Sequence, residues 1–437
     1  MDQLEMKPQG EKNEMHKKQK ALWLICLVLC LCCALLFVLW QVSLWKFRRA
    51  SKYFDIDRLN EMLAMFDGLS VYDTPTREAL TDALLYAVAG SFDDQYAEYY
   101  TQAELDEWIS DLSGDFVGIG VAILWQAGLG YEVLDVFDDS PAQKAGILAG
   151  DILCAVDGQS AVTLGAEATL KAIAGEAGTS VEVSVLREGQ TLTFSCIRAK
   201  VVSRSVRYKT IEQGDALLGY VRITSFDGSG VSGNTFTQFK EAVDTLTAQG
   251  VSAFVFDLRN NGGGTVFAAA QMLAYLLPDG VIGHMDYGSE LIEDYTISAE
   301  GDKMQYANTA YTLPEGQHEV NVPIVLLVNE RTASASELFT STLRDYGQSG
   351  QMSVTLIGKH TYGKGSVQTT YGLSSGGGYK LTVAELSSAL GVEYDGKGIA
   401  PDIAIELPDT VKNTNLYKLA YEDDTQLQAA VQHLLSN

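Results

Sequence analysis

Hydrophobic and polar positions change period twice along the 437-residue chain. An early region has apolar residues at helical spacing, a middle region has short alternating strands separated by turns, and a third region alternates buried strands with helices. A chain of this length exceeds what one hydrophobic core usually supports, so more than one domain is expected. The pattern predicts an N-terminal helical region, a β-rich domain, an α/β core and a C-terminal helical segment. Their predicted boundaries are 53–115, 116–202, 203–410 and 411–437.

A run of twenty uncharged residues, Ala21 to Trp40, precedes these regions. As a helix, this run is long enough to cross a hydrocarbon layer of about 30 Å. Residues 41–49 after it contain no small-x-small cleavage site, which disfavours the alternative of a removed signal peptide. We therefore predict a tail over residues 1–20 and one transmembrane helix, which anchors the protein through residues 21–45.

Charge and cysteine content narrow the class of protein. Residues 1–52 carry nine Lys or Arg and four Asp or Glu, so the net charge of −25 becomes −30 over the remainder. Such an acidic surface repels polyanions, which argues against nucleic-acid binding. Four of the six cysteines lie in the uncharged run. For the other two, Cys154 and Cys196, packing within strands is favoured over a disulfide, because sequence cannot show that they are close.

Ser334 and Lys364 are the leading candidates for chemistry. Ser334 lies between a predicted buried strand, Val322 to Val328, and a predicted helix, Ser336 to Arg344, so we expect its hydroxyl near a helix N-terminus. A hydroxyl becomes a good nucleophile only beside a base, and a lysine can be that base when desolvation lowers its pKa. Glycines on both sides of Lys364 permit a tight, buried approach.

The motifs Thr332-Ala-Ser-Ala-Ser-Glu337 and Gly363-Lys-Gly-Ser-Val-Gln368 resemble those of the C-terminal processing peptidases, also called tail-specific proteases. The resemblance implies that Ser334 is the nucleophile, that Lys364 is the general base and that Gln368 orients the lysine. It also implies an oxyanion hole formed by the backbone N–H groups of Gly263 and Ala335. Further matching segments are 92–101, 116–120, 257–264 and 396–402.

The same resemblance predicts the architecture and the partners. The expected fold is a ClpP/crotonase-like α/β catalytic core with an inserted PDZ-like β-rich domain, an N-terminal helical region and one transmembrane helix. The expected protein is a single-pass protein of the cell membrane whose residues 1–20 form a cytoplasmic tail and whose catalytic part is extracytoplasmic. It acts on proteins or peptides with free C-terminal tails and requires no cofactor. Helices equivalent to the N-terminal ones assemble dimers in the family, so a homodimer is a further expectation.

A carboxylate-binding loop is predicted at the start of the PDZ-like domain. Successive backbone N–H groups in such a loop capture a chain terminus, and the strand that follows pairs with the incoming peptide. The Ser140-Pro-Ala-Gln-Lys-Ala-Gly-Ile147 segment follows at the spacing of a PDZ domain. The predicted loop consists of Phe116, Val117, Gly118, Ile119 and Gly120.

Other chemistries are less well supported. The chain has five histidines, of which His360 is the one near Lys364, and no carboxylate pairs with it in the sequence. No pair of His or Cys residues has the spacing of metal ligands, so no metal is predicted. The sequence predicts a membrane-anchored serine endopeptidase that cleaves proteins near their C-termini. The alternative is a catalytically inactive, PDZ-based binding or scaffolding protein.

Overall fold

The computed structural model describes most of the chain from residue 55 onwards. The described residues are 55–70, 72–113, 115–126, 128–137, 139–202, 205–227, 234–288, 292, 294–313, 320–408, 410–411, 416 and 419–436, with scattered positions between 23 and 53. They form two compact units, residues 1–83 and residues 84–437.

The predicted transmembrane helix is wrong. Among the residues that the structure describes, no helix reaches eighteen residues with the apolar character needed to cross a membrane. The prediction used the absence of charge in the run, whereas a span also requires a continuous helix of that length. Most of the predicted anchor, residues 21–45, lies outside the described residues.

In the residues described here, the N-terminal helical region contains three helices and one short strand. The first, α1 (Ile56–Leu69), lies in the first unit, and Asp55 caps it by accepting from the Arg58 N–H at 3.1 Å. The helix α2 (Arg77–Ala89) begins in the first unit and ends in the second. In the second unit a short strand, β1 (Glu98–Tyr100), is followed by α3 (Gln102–Ser113).

A small β-rich domain follows in the second unit. Its main sheet has the strand order β3-β4-β5-β7-β8, with β6 beside β5, and β2 pairs separately with β9. Its core contains Ile119, Val133, Leu153 and Val183. The elements are β2 (Asp115–Gly118), β3 (Val121–Gln126), β4 (Gly130–Val136), α4 (Pro141–Ala145), β5 (Ile152–Val156), β6 (Gln159–Ser160), α5 (Ala161–Leu164), α6 (Ala166–Ile173), β7 (Ser180–Arg187), β8 (Gln190–Ile197) and β9 (Ala199–Val202).

The α/β core contains a six-stranded sheet in the order β10-β11-β12-β17-β18-β21, parallel except for the β10–β11 pair. Alternate residues of β12 face opposite sides, so Phe254 and Phe256 pack among helices on one face while Val255 packs with Leu427 of the last helix on the other. The elements are β10 (Val206–Gln213), β11 (Ala216–Ile223), α7 (Thr235–Ala248), β12 (Ala253–Asp257), α8 (Val266–Leu276), β17 (Ile324–Val328), α9 (Ala335–Gln348), β18 (Val354–Gly358), β21 (Ile403–Ala404) and α10 (Thr425–Ser436).

A second, antiparallel sheet joins the helical region to the core. Its order is β1-β20-β13-β14-β15-β16, and β19 also pairs with β20. Because β1 pairs with β20 and β19 follows Lys364, this sheet brings residues 94–100 beside the lysine. Its remaining strands are β13 (Gly280–Asp286), β14 (Tyr295–Glu300), β15 (Lys303–Tyr306), β16 (Thr309–Thr312), β19 (Ser366–Gly372) and β20 (Gly378–Ser387).

Candidate active site

Three neighbouring parallel strands end at the candidate site. β12, β17 and β18 lie side by side in the six-stranded sheet. The chain that leaves β12 reaches Gly263, the chain that leaves β17 reaches Ser334, and the chain that leaves β18 reaches Lys364. Ligand sites of parallel sheets form at the carboxyl ends of their strands. The fold therefore directs all three segments to one edge of the sheet.

Hydrogen bonds fix these three segments to one another. The Thr332 hydroxyl donates to the Leu258 carbonyl at 2.9 Å, and the Ala333 N–H donates to the Asn261 carbonyl at 3.0 Å. On the other side the Tyr362 N–H donates to the Thr332 carbonyl at 3.0 Å. The segment that carries the serine is thus held between the other two.

Ser334 occupies a strained turn between β17 and α9. Its φ is 59° and its ψ is −121°, a backbone conformation that costs free energy for any residue other than glycine. A sharp turn of this kind between a strand and a helix presents a serine hydroxyl above the sheet. Ser334 is also the residue just before α9, where the helix dipole favours negative charge. The prediction that Ser334 lies at a helix N-terminus is confirmed.

Glu337 connects the serine segment to the lysine segment. One oxygen of its buried carboxylate accepts from the Ser334 N–H at 3.0 Å and from the Lys364 N–H at 2.7 Å. The other accepts from the Gly363 N–H at 2.7 Å and from the Thr361 hydroxyl. A single carboxylate therefore holds the backbone of both candidate catalytic residues.

The role of Glu337 was not predicted from the sequence. The sequence nevertheless contained an indication of it, because Ser334 and Glu337 have the Ser-x-x-Glu spacing of a capping box. In a capping box the glutamate accepts from the backbone N–H of the residue before the helix, as it does here. The spacing could not show that the same carboxylate also binds residues 361–364.

Lys364 is half-buried, and its pKa is lowered. Burial is the largest cause, because it disfavours the charged form, and the positive charge of Lys380 acts in the same direction. Asp395 opposes both effects, but its carboxylate already accepts from the Gly365 N–H at 2.7 Å and the Ser366 N–H at 3.0 Å. Because the pKa is lowered, a larger fraction of the lysine is the neutral amine, which is the form that acts as a base.

Gln368 lies on β19, four residues after Lys364. Its amide nitrogen donates to the Thr382 hydroxyl at 3.0 Å and to the Ser366 hydroxyl at 3.2 Å. The structure therefore directs the amide nitrogen of Gln368 to two neighbouring hydroxyls. The orienting role of Gln368 stays a prediction.

Gly263 lies directly against the serine. A Cβ atom added to it would be 2.8 Å from the Ser334 Cβ and 3.0 Å from the Ala335 nitrogen. Its φ of 103° also favours glycine. The Gly263 N–H donates to the side-chain oxygen of Asn261 at 2.9 Å, so it can bind an oxyanion only if that bond is shared or released. The structure brings the two predicted oxyanion-hole residues together at Ser334.

The predicted carboxylate loop is divided between a strand and a buried turn. Phe116, Val117 and Gly118 lie in β2 and pair with β9. Ile119 is buried in the domain core, and its carbonyl accepts from the Ala142 N–H at 2.8 Å. Gly120, with a φ of 79°, leads into β3, which is an edge strand of its sheet.

The rival chemistries gain no support from the site. The imidazole of His360 contacts the carbonyl oxygen of Thr361 at 3.3 Å. In the part of the chain that the structure describes, no group of three or more His, Cys, Asp or Glu side chains is arranged to hold a metal ion. Cys154 and Cys196 are both free thiols.

Sequence comparison identifies the family. The profile of Peptidase family S41 matches residues 217–405, and that of the PDZ domain matches residues 115–197. The chain is 30% identical over 360 residues to "Carboxy-terminal processing protease CtpA" of Bacillus subtilis, an alignment that covers 82% of this chain and 70% of the relative. The chain belongs to the C-terminal processing peptidases of family S41. It is thus a serine-type peptidase with a PDZ domain, as the motifs indicated.

Other comparisons agree with this assignment. A "Probable CtpA-like serine protease" of Staphylococcus saprophyticus is 28% identical over 423 residues, which cover 95% of this chain and 80% of that protein. A solved structure described as a candidate S41 protease of Bacteroides fragilis has a TM-score of 0.55 and 17% identity, and the match covers 85% of this chain and 94% of the other. That structure supports the fold.

Proposed function

We propose that this peptidase cleaves proteins near their C-termini through an acyl-enzyme, with Ser334 as nucleophile and Lys364 as general base. The observation that carries the proposal is the carboxylate of Glu337, which accepts from the backbone N–H groups of both residues. The strained backbone of Ser334 and the lowered pKa of Lys364 support the same roles, because both features are typical of activated nucleophiles and bases.

In the proposed reaction the Ser334 oxygen attacks the scissile carbonyl carbon while its proton passes to the neutral Lys364 nitrogen. The negative charge that develops on the carbonyl oxygen is stabilised by the N–H groups of Ala335 and Gly263. The lysine ammonium then gives its proton to the leaving amine as the C–N bond breaks. Water, activated by the same lysine, hydrolyses the ester. Gln368 remains a candidate to orient the lysine from β19.

Tail capture is the second part of the proposal. The edge strand β3 can pair with an extended peptide, since β4 occupies its other side. The backbone of residues 116–120, just before β3, is where the terminal carboxylate would bind. We also infer that the domain boundaries are those predicted from the sequence, that the catalytic part is extracytoplasmic, and that a homodimer can form.

The test follows cleavage of an unfolded protein substrate labelled at its N-terminus. We expect Ser334→Ala and Lys364→Ala each to lower kcat/KM by at least about 1,000-fold, and the double variant to be no worse than either alone. Lys397→Ala is the matched control, because Lys397 is exposed and pairs with Glu393. Wild-type cleavage by either catalytic variant would refute the proposal.

Tail capture is tested with the same substrate carrying a C-terminal amide. Loss of the terminal charge should lower kcat/KM by at least about 10-fold, mainly through KM, since a binding contact common to ground and transition states is removed. Equal cleavage of the acid and the amide would refute tail capture. A wild-type protein that binds the acid and never cleaves it would fit the alternative, a noncatalytic PDZ-based scaffold.

A further inference from the structure

An aromatic ring covers the candidate base. The Lys364 nitrogen lies 4.2 Å from the centroid of the Tyr96 ring, within the distance of a cation–π interaction. Tyr96 comes from the segment before β1, far from Lys364 in sequence. We propose that Tyr96 is a positioning residue for the general base, which holds the Lys364 amine against its ring face. This inference rests on the proposed roles of Ser334 and Lys364.

Hydrogen bonds hold Tyr96 both at its hydroxyl and at its backbone. Its hydroxyl is hydrogen-bonded to the side chain of Ser366, which also accepts from the Gln368 amide at 3.2 Å. Its backbone N–H donates to the Asp94 carboxylate at 3.0 Å. The ring therefore has little freedom to move away from the lysine.

Asp94 attaches this segment to the strand beside the lysine. Its two oxygens accept from the Thr382 N–H at 2.8 Å and from the Thr382 hydroxyl at 2.9 Å. Thr382 in turn accepts from Gln368 at 3.0 Å. These hydrogen bonds form a closed loop through Asp94, Thr382, Gln368, Ser366 and Tyr96. The predicted orienting residue Gln368 belongs to this loop of hydrogen bonds, so it can act on the lysine through Tyr96.

The charged and titratable groups around the pair come from several elements. Lys380 on β20 lowers the pKa of Lys364, whereas Asp395 raises it. Burial is the largest cause that raises the pKa of the Tyr96 phenol, and Tyr362, Asp395 and Asp94 each raise it further. The raised pKa favours the neutral phenol, so the effect of Tyr96 on the lysine comes from the ring.

An aromatic face suits a lysine that must be neutral before the reaction and positive during it. A carboxylate in the same place would keep the amine protonated, because opposite charge raises a lysine pKa. A ring attracts the ammonium more weakly, yet it still favours the positive charge that forms when the serine proton arrives. The ring also occupies space that water would otherwise fill. It can therefore position the amine and stabilise the transient ammonium.

The experiment compares the pH dependence of kcat/KM in three variants. The acid limb of this profile reports the pKa of the general base in the unliganded enzyme. Tyr96→Leu keeps apolar bulk and removes the ring, so we expect the acid limb to move about one pH unit lower and the maximal rate to fall about 10-fold. Tyr96→Phe keeps the ring, so its acid limb should lie at the wild-type position. Tyr371→Leu, at an exposed tyrosine on β19, is the matched control and should change neither quantity.

The outcomes separate this inference from the proposed function. If Lys364→Ala cleaves as fast as wild type, the serine–lysine mechanism itself is refuted. If Lys364→Ala is inactive while Tyr96→Leu has an unchanged or raised acid limb, only the role of Tyr96 is refuted. Thermal unfolding of each variant corrects the rates for the folded fraction. A loss of rate that equals the loss of folded protein, with no pH shift, would also overturn the inference.

Discussion

Replacing Glu337 by glutamine tests whether one carboxylate sets the geometry of both catalytic residues. Each carboxylate oxygen accepts two hydrogen bonds, one pair from Ser334 and Lys364 and the other from Gly363 and Thr361. The amide of glutamine retains one acceptor oxygen and puts an NH₂ group in place of the other. Whichever way the amide turns, at least one backbone N–H then faces a donor.

The expected cost follows from the number of bonds lost. A hydrogen bond to a charged group contributes about 1.5–3 kcal/mol, so the loss of two amounts to about 3–6 kcal/mol. The side chain is completely buried, so water cannot replace the missing acceptor without rearrangement. The loss can appear as a lower free energy of unfolding, or the turn at Ser334 can change its conformation. Such a change would misplace the hydroxyl, and displacements of this kind lower rates by about 100-fold.

Two measurements separate these effects. Urea denaturation gives the free energy of unfolding, and fluorophosphonate labelling of the folded enzyme gives the reactivity of Ser334. Ser341→Ala is the control, because Ser341 is equally buried in α9 and its hydroxyl donates to the Leu338 carbonyl at 3.2 Å. We expect the control to lose about 1 kcal/mol of stability and no reactivity. If Glu337→Gln labelled at the wild-type rate with wild-type stability, the carboxylate would not be the link that we describe.

Three further predictions concern other residues of the second unit. In Gly263→Ala the new methyl group would lie 2.7 Å from a backbone oxygen, so we expect kcat to fall by at least about 100-fold, and wild-type turnover would exclude a close oxyanion loop. Asp424→Asn removes a carboxylate that lies 2.8 Å from the guanidinium of the buried Arg259, which should cost about 3–5 kcal/mol in urea unfolding; a change under about 1 kcal/mol would contradict a buried ion pair at this position. Lys380→Gln removes a positive charge that lowers the pKa of Lys364, so the acid limb of kcat/KM should move to higher pH, and a shift to lower pH would contradict the sign of that effect.

The elements that carry the site could be predicted from the sequence because their patterns are local. The uniform hydrophobic run before Ser334 indicated a strand buried on both faces, and β17 has that character. The small residues around Lys364 indicated a close approach, and the glycine before it, Gly363, has a φ of 91° that a larger residue rarely adopts.

Contacts between distant segments could not be predicted in the same way. Tyr96 reaches Lys364 only because β1 pairs with β20, and that strand order follows from the assembled sheet. The four donors to Glu337 come from two loops whose relative position depends on the neighbouring strands β17 and β18. The membrane helix was predicted from the absence of charge alone, and the residues that the structure describes include no helix long and apolar enough to cross a membrane.

The most direct test of the account measures how the reactivity of Ser334 depends on pH. The rate of fluorophosphonate labelling is followed by mass spectrometry in wild type and in Lys364→Ala. We predict that the wild-type rate rises with pH along a single titration whose midpoint lies below about 10.4, the value of an ordinary lysine. We also predict that Lys364→Ala loses that titration. A midpoint at or above the ordinary value, or the same profile without the lysine, would contradict a neutral lysine as the base.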